Sequence, residues 1–341
     1  MADLNWSDAQ WQKVNDCVTE AFGKASVASA FLPLYRPLSG SAETVRNERL
    51  IVGLPGAPTT VSLDADHDDA NLRFVNLTVN VDLSSEQVAE DSLSNAMLAF
   101  RRAANILAQE EDRVVFEGYN RGTVASLSPF VRPNTPAQRG LADLRARARF
   151  DDLNVYRTQI AAQGLLGVAG AAGLAGAIGA AASIGPAVVS AVVAAISQLE
   201  RDSNPSPFFC VLGTDLFDRA HDPTPSLVLP ADRILPLLKG GSLLRSGMMD
   251  ANTGIVVSLS AGAVDLIVGT PPTVQFLQRT AGGRFLFRVY ERFALRIRDE
   301  VTQPFAGFVL DAATAAAQYR QIVRNRLTIE MRARRARLVN L

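Results

Sequence analysis

The chain has 341 residues with 34 basic and 34 acidic side chains, long enough for one large domain or two and without a net field aimed at nucleic acid. Two cysteines with no CxxC pair exclude a disulfide framework and argue against a zinc centre, which fits a reducing compartment. The opening MADLNWSDAQW shows no basic stretch followed by an apolar core, so no secretory leader is read there and a cytoplasmic location is expected.

Trp6-Ser7-x-x-Gln10-Trp11 reads as a helix start, with Ser7 as cap, Gln10 at the capping-box position and the two tryptophans as a hydrophobic staple. Trp11, Val14, Val18 and Phe22 then form an apolar stripe that stops near Gly23. Across residues 25–60, Pro33, Pro37, Pro55 and Pro58 restrict regular structure to short strands. Asp64, Asp66, His67, Asp68 and Asp69 crowd one loop. They lack the ordered ligand spacing and glycine of a calcium loop, so a solvated turn is expected and no metal. Val75, Leu77, Val79 and Val81 alternate with polar residues as a half-buried strand does.

From Leu93 the residues Met97, Phe100, Ala104 and Leu107 keep a helical period, with Arg101, Arg102 and Asn105 on the other side. The pattern predicts a helix ending at Glu110, Glu111 and Asp112, followed by a strand-like Val-Val-Phe and a Gly-Tyr turn. Each carboxylate at a helix C-terminus opposes the macrodipole by roughly 0.3–1 kcal/mol. Three together call for cationic partners elsewhere, and arginines are expected.

Residues 123–150 are rich in proline and arginine, and Thr158 to Leu199 contains no charge. Within that run, glycine recurs at 164, 167, 170, 173, 176 and 179. A packed or intersubunit Ala/Gly segment, a membrane contact and a mobile loop are all compatible with it. No basic cluster or aromatic belt brackets the run as an anchor requires, so the packed reading is preferred. Pro186 suits the first turn of a helix whose apolar side carries Val188, Val189, Val192, Val193 and Ile196. An apolar strand (207–213), the helix TDLFDRA, a polar loop at His221 and Asp222, and a helix closed by Gly240-Gly241 follow.

Ile255–Leu259 and Val264–Val268 flank Ser-Ala-Gly-Ala and read as a hairpin. Residues 284–298 alternate strictly, placing Phe285, Phe287, Val289, Phe293, Leu295 and Ile297 on one face. Arg284, Arg288, Arg292, Arg296 and Arg298 fall on the other, a ladder suited to carboxylates of a neighbour or to Glu110–Asp112. Residues 312–337 carry seven arginines in a helical pattern, a solvated or intersubunit helix or an anionic-surface contact. Motif searches for P-loop, GxGxxG, GxSxG and HExxH chemistry return nothing.

The line RRAANILAQEEDRVVFEGY (101–119) resembles the central helix signature of the encapsulins, nanocompartment shell proteins of bacteria and archaea with the HK97 phage-capsid fold. The likeness extends over roughly 1–30, 70–128 and 186–305, including the closing F-h-F-x-V strand at 285–289. The resemblance implies an α+β HK97 capsid-like fold with a peripheral domain, an axial domain and an extended E-loop. On it, 1–44 is the N-terminal helix and arm, 45–83 the E-loop and first peripheral strand, and 84–128 the peripheral helix. Residues 129–185 form an Ala/Gly-rich insertion the family does not explain, 186–275 the spine helix and axial domain, 276–310 the closing peripheral strands and 311–341 a basic extension. It further implies an icosahedral shell of many copies that encloses cargo enzymes, ferritin-like proteins or peroxidases, through targeting peptides, with no catalysis, cofactor or specific nucleic acid of its own. Trp11, Val14, Val18 and Phe22 are the expected cargo groove, His221 and Asp222 the expected pore lining. Glu110, Glu111, Asp112, Arg288, Arg292 and Arg296 are the expected intersubunit set. With no lysine in 45–83, a lysine crosslink through the arm is excluded. A viral capsid protein of the same fold and a membrane-active protein working through 158–199 are the alternatives.

Overall fold

The computed structural model describes residues 4–35, 44–52, 61–64, 71–117, 184–223, 228–260, 262, 264–298 and 304–310. They fall into two compact units. Unit 1 takes Met1–Leu144 and Gly262–Val301, and unit 2 takes Arg145–Ala261 and Thr302–Leu341.

Unit 1 starts with α1 (Asp8–Ala25), opened by the expected capping box: the Gln10 amide donates to the Ser7 hydroxyl at 3.3 Å and the Ser7 amide to the Gln10 side chain at 2.9 Å. After α2 (Ala28–Phe31) and β1 (Leu34–Tyr35) come two short ladders. In these β2 (Thr44–Arg46) pairs β5 (Asn71–Arg73), and β3 (Arg49–Val52) pairs β4 (Val61–Asp64). Next are β6 (Val75–Leu83), α3 (Ser85–Ala89) and α4 (Ser94–Glu117). Unit 2 contributes α5 (Ile184–Arg201), β7 (Phe208–Gly213), α6 (Thr214–His221), α7 (Pro230–Ile234) running into a 3₁₀ turn (Leu235–Leu238), β8 (Leu243–Ser246) and β9 (Thr253–Ser258). The chain then returns to unit 1 for β10 (Val264–Arg279) and β11 (Phe285–Ile297), and ends its described course in unit 2 with β12 (Phe305–Val309).

The unit 1 sheet has the order β1-β10-β11-β6. Its centre is the long β10–β11 hairpin, whose register runs from Val264↔Ile297 to Arg279↔Phe285. β6 lies antiparallel on the other side of β11, from Val75↔Phe293 to Leu83↔Phe285. Because side chains alternate across a strand, Val75, Leu77, Val79, Val81 and Leu83 bury one face of β6, and Phe285, Phe287, Val289 and Phe293 bury the matching face of β11. α4 packs on that face and α1 packs on α4 and β10. Burying each such side chain contributes about 1.5–3 kcal/mol.

Three expectations are corrected here. α4 does not stop at the carboxylates; it continues to Glu117 with Val114, Val115 and Phe116 buried. Phe100, Ala104, Leu107, Glu111 and Val115 keep one helical face inward, and that tertiary burial overrides the strand propensity of Val-Val-Phe. The hairpin expected over 255–268 is absent: β9 pairs β7 and β12, while β10 pairs β11 and β1, so the linker between them crosses from one sheet to another. Accordingly the boundaries set at 275 and 310 shift. β10 runs unbroken through 275 within unit 1, and β12, expected among the peripheral strands, is an edge of the unit 2 sheet.

That second sheet has the order β12-β9-β7-β8. α5 packs against it through Val188, Val192, Ala195 and Leu199, meeting Phe208, Leu212, Val256 and Phe308 in one core. Val193, expected on the apolar side, is instead 43% exposed. At Gly241 a Cβ would stand 1.7 Å from the Phe208 carbonyl oxygen, so the backbone passes too close there for any side chain. Residues 118–183 and 311–341 lie outside the described residues, and with them fall the insertion at 129–185 up to its last two residues and the basic extension; so do Asp66, His67, Asp68 and Asp69. Among the described residues no helix is long and apolar enough to cross a membrane.

Candidate functional site

The N-terminal wall is fixed by aromatic packing. Trp6 stacks on Phe287 with ring centroids 5.1 Å apart and donates its indole N–H to the Val88 carbonyl at 3.0 Å. Trp11 meets Trp6 edge-on at 5.1 Å, and Phe100 meets Phe287 at 5.4 Å. Such pairs are worth about 0.5–1.5 kcal/mol each beyond the area they bury. Of the four expected groove residues, Val14, Val18 and Phe22 are buried within the chain's own core and only Trp11 is half-exposed. The stripe therefore docks α1 on its own subunit, leaving Asp8, Gln12, Lys13, Asp16, Thr19 and Glu20 facing solvent.

Glu110, Glu111 and Asp112 do not meet the arginine ladder, because α4 covers the apolar face of β11 and the arginines occupy the opposite one. Each carboxylate has a separate environment. Glu110 pairs with Arg113 at 3.2 Å. Asp112 accepts from the Val27 amide at 3.0 Å, the Ala28 amide at 2.7 Å and the Ser26 hydroxyl at 3.4 Å, pinning the α1–α2 junction to α4. Burial raises Asp112 to about 6, against the pull of those donors. Glu111 is fully buried, and neither of its oxygens has a hydrogen-bond partner among the described residues. Burial first and the neighbouring Asp112 second push it up to about 8, while the nearby Ser26 hydroxyl, committed to Asp112, pulls weakly down.

The same region holds a residue the sequence reading passed over. Glu291 sits on the inward face of β11 between Val289 and Phe293, 1% exposed, with Oε2 unpartnered. Burial raises its pKa well above the ordinary carboxylate range, and Glu111 and Asp112 add to the rise. An acidic residue at inward parity in an otherwise apolar row was the available signal. Among the described residues no group of His, Cys, Asp and Glu has a geometry that could hold a metal ion.

Removing the Asp112 carboxylate leaves the buried Ala28 amide and the part-buried Val27 amide without an acceptor, at about 1–3 kcal/mol for a buried unsatisfied group, partly offset by relief of Glu111. Asp112→Ala is therefore expected to lower subunit stability by about 2 kcal/mol in urea unfolding. Asp112→Asn, which keeps an acceptor, is expected to lose clearly less.

The ladder is occupied from within the chain. Arg284 pairs with Asp82 at 2.7 Å, and Arg288 donates to Gln275 at 2.9 Å while lying over Tyr290. Arg292 lies over Phe74 at 5.1 Å. Arg296 is buried against Asp265, with Nε donating at 2.8 Å, and lies 4.8 Å over the Tyr35 ring. His221 and Asp222 end α6 on the surface of unit 2; the His221 ring lies 4.3 Å from the Phe217 ring, and Asp222 pairs with Arg219 at 3.2 Å. Apolar side chains remain open on β4, where Val61 is 65% and Leu63 56% exposed, and on β1, an edge strand of the unit 1 sheet, at Leu34 and Tyr35. Open apolar edges of this kind suit contacts between copies.

The family model described as "encapsulating protein for peroxidase" matches residues 2–139 and 144–294. No curated protein matches the sequence. Among solved structures, the virus-like particle from Pyrococcus furiosus is similar at a TM-score of 0.50 and 14% identity, covering 89% of this chain and 99% of that one. The holo-SrpI encapsulin complex from Synechococcus elongatus PCC 7942 gives 0.45 at 10% identity, covering 83% and 86%, and a Microbacterium phage Oxtober96 chain gives 0.47 at 16%, covering 84% and 91%. The family match spans most of the chain, and the fold is that of HK97-like capsids. The chain belongs to the encapsulin family of encapsulating proteins and is a subunit of a self-assembling shell.

Proposed function

We propose that the shell made by this chain encloses a peroxidase or ferritin-like enzyme in the cytoplasm, captured by a C-terminal targeting peptide, and that the shell contributes confinement rather than catalysis. The family match over 2–139 and 144–294 carries the reading. The half-exposed Trp11 and the solvent-facing side of α1 make the contact with the peptide; Val14, Val18 and Phe22 hold the helix in place behind it. His221 and Asp222 line a pore, and the intersubunit seams use the open apolar edges in place of the arginine ladder.

Co-expression tests this. The chain is produced with a peroxidase that carries its own C-terminal tail, or with the same enzyme lacking the tail, and megadalton particles are isolated by sedimentation. Enzyme retained in particles only when tailed, and retained poorly by Trp11→Ala shells that still assemble, is the expected result. Equal loading with and without the tail, or shells that stay empty with both, would overturn the proposal.

A further inference from the structure

We propose that Glu111 of α4 and Glu291 of β11 hold at least one proton between them at neutral pH, and that its loss in alkaline solution loosens α4 from the unit 1 sheet and weakens the shell. The geometry supplies the argument. Both side chains are buried, at 0% and 1% exposure, and three of their four carboxyl oxygens have no partner among the described residues. The groups that β6, α4 and the α1–α2 junction bring to this region are apolar or already engaged. β6 contributes Val75, Leu77 and Val79; on α4, Glu110 is tied to Arg113 and Asp112 to the α1–α2 junction; that junction contributes the Ser26 hydroxyl. The arginines of β11 lie across the sheet with Asp82, Gln275, Phe74 and Asp265.

No described cation faces the pair, and the surroundings do not form a metal site. Two buried negative charges without a counter-ion exceed what a fold of ordinary stability absorbs, so a carboxyl group stays neutral instead. The folded state then keeps a proton that the unfolded chain has released above its ordinary value of 4.5. Stability falls as pH rises from there through about 8, where Glu111 gives up its proton. At its steepest the folding constant drops tenfold per pH unit for one proton. This inference does not depend on which cargo the shell carries.

Infrared spectra and thermal midpoints of assembled shells between pH 5.5 and 9.5 test it. The expected result is a protonated-carboxyl carbonyl band in the wild type at pH 7, which weakens as pH passes about 8 and is absent from the Glu111→Gln, Glu291→Gln double variant. The midpoint should fall with pH in the wild type and fall much less in the double variant. A wild type without that band at pH 7, a band that survives in the double variant, or parallel midpoint curves would each overturn the proposal. Should the double variant not assemble, the wild-type infrared titration decides alone.

Discussion

Phe287→Ala is expected to cost the subunit about 3–5 kcal/mol, the range for truncating a buried aromatic ring, and to free α1 from the wall it forms. Phe287 has no exposed surface and is ringed by Trp6 at 5.1 Å, Phe100 and Phe276 at 5.4 Å and Trp11 at 6.3 Å. Alanine there opens a cavity that rigid rings on three elements cannot collapse to fill. Since α1 reaches the sheet through Trp6 and Trp11, its amides should lose protection in hydrogen exchange before those of β6. Urea unfolding measures the global loss. A deficit below about 1 kcal/mol, or unchanged exchange in α1, would show that the aromatic cluster does not anchor the helix. Phe287→Leu, keeping most of the volume, should do much less damage.

Asp265→Ala is the other large effect, again about 3–5 kcal/mol, because it strands a buried charge. Arg296 and Asp265 are side-by-side partners in the β11–β10 register, with exposures of 7% and 11% for their side chains. The same guanidinium donates to the Arg46 carbonyl at 3.4 Å, and Arg298 approaches Asp265 at 3.6 Å. One carboxylate thus ties β10 and β11 to the root of the β2 strand. Replacing the pair together, Asp265→Leu with Arg296→Met, removes both charges and is expected to be far milder than the single change. Urea midpoints of the two variants make the comparison. Equal losses in both would mean that volume, not the stranded charge, sets the cost.

How far the sequence carried the fold follows from the range of the signals. Ser7 and Gln10 are three residues apart, so their capping box was readable, as was the alternation of β6 and β11. Partners at long range were not. Arg284 meets Asp82 across 202 residues, and Arg296 meets Asp265 across 31; arginine spacing says that a row exists and nothing of what faces it. The apolar stripe of α1 looks the same whether it receives a guest or its own sheet, so the pattern alone does not separate groove from core at Val14, Val18 and Phe22. Ser-Ala-Gly-Ala has the composition of a turn, yet the strands it joins find their partners at 208–213, 285–297 and 305–309. Glu291 escaped because a lone acid in a strand gains meaning only once the helix above it is known to bring Glu111.

The sheet order β1-β10-β11-β6 sets a timetable for the nascent chain. β6 leaves the ribosome early, and the strand it must pair with follows some 202 residues later, after the bulk of unit 2. At ordinary elongation speeds of 5–20 residues per second that is a wait of about 10–40 s. Throughout it the row from Val75 to Leu83 has no β11 beside it. The unit 1 sheet cannot be completed until β11 has been made, so a nascent chain that stops short of it lacks the finished sheet. The same delay leaves an unpaired apolar strand in search of contacts, and crowded expression should punish this protein by aggregation during synthesis more than after it.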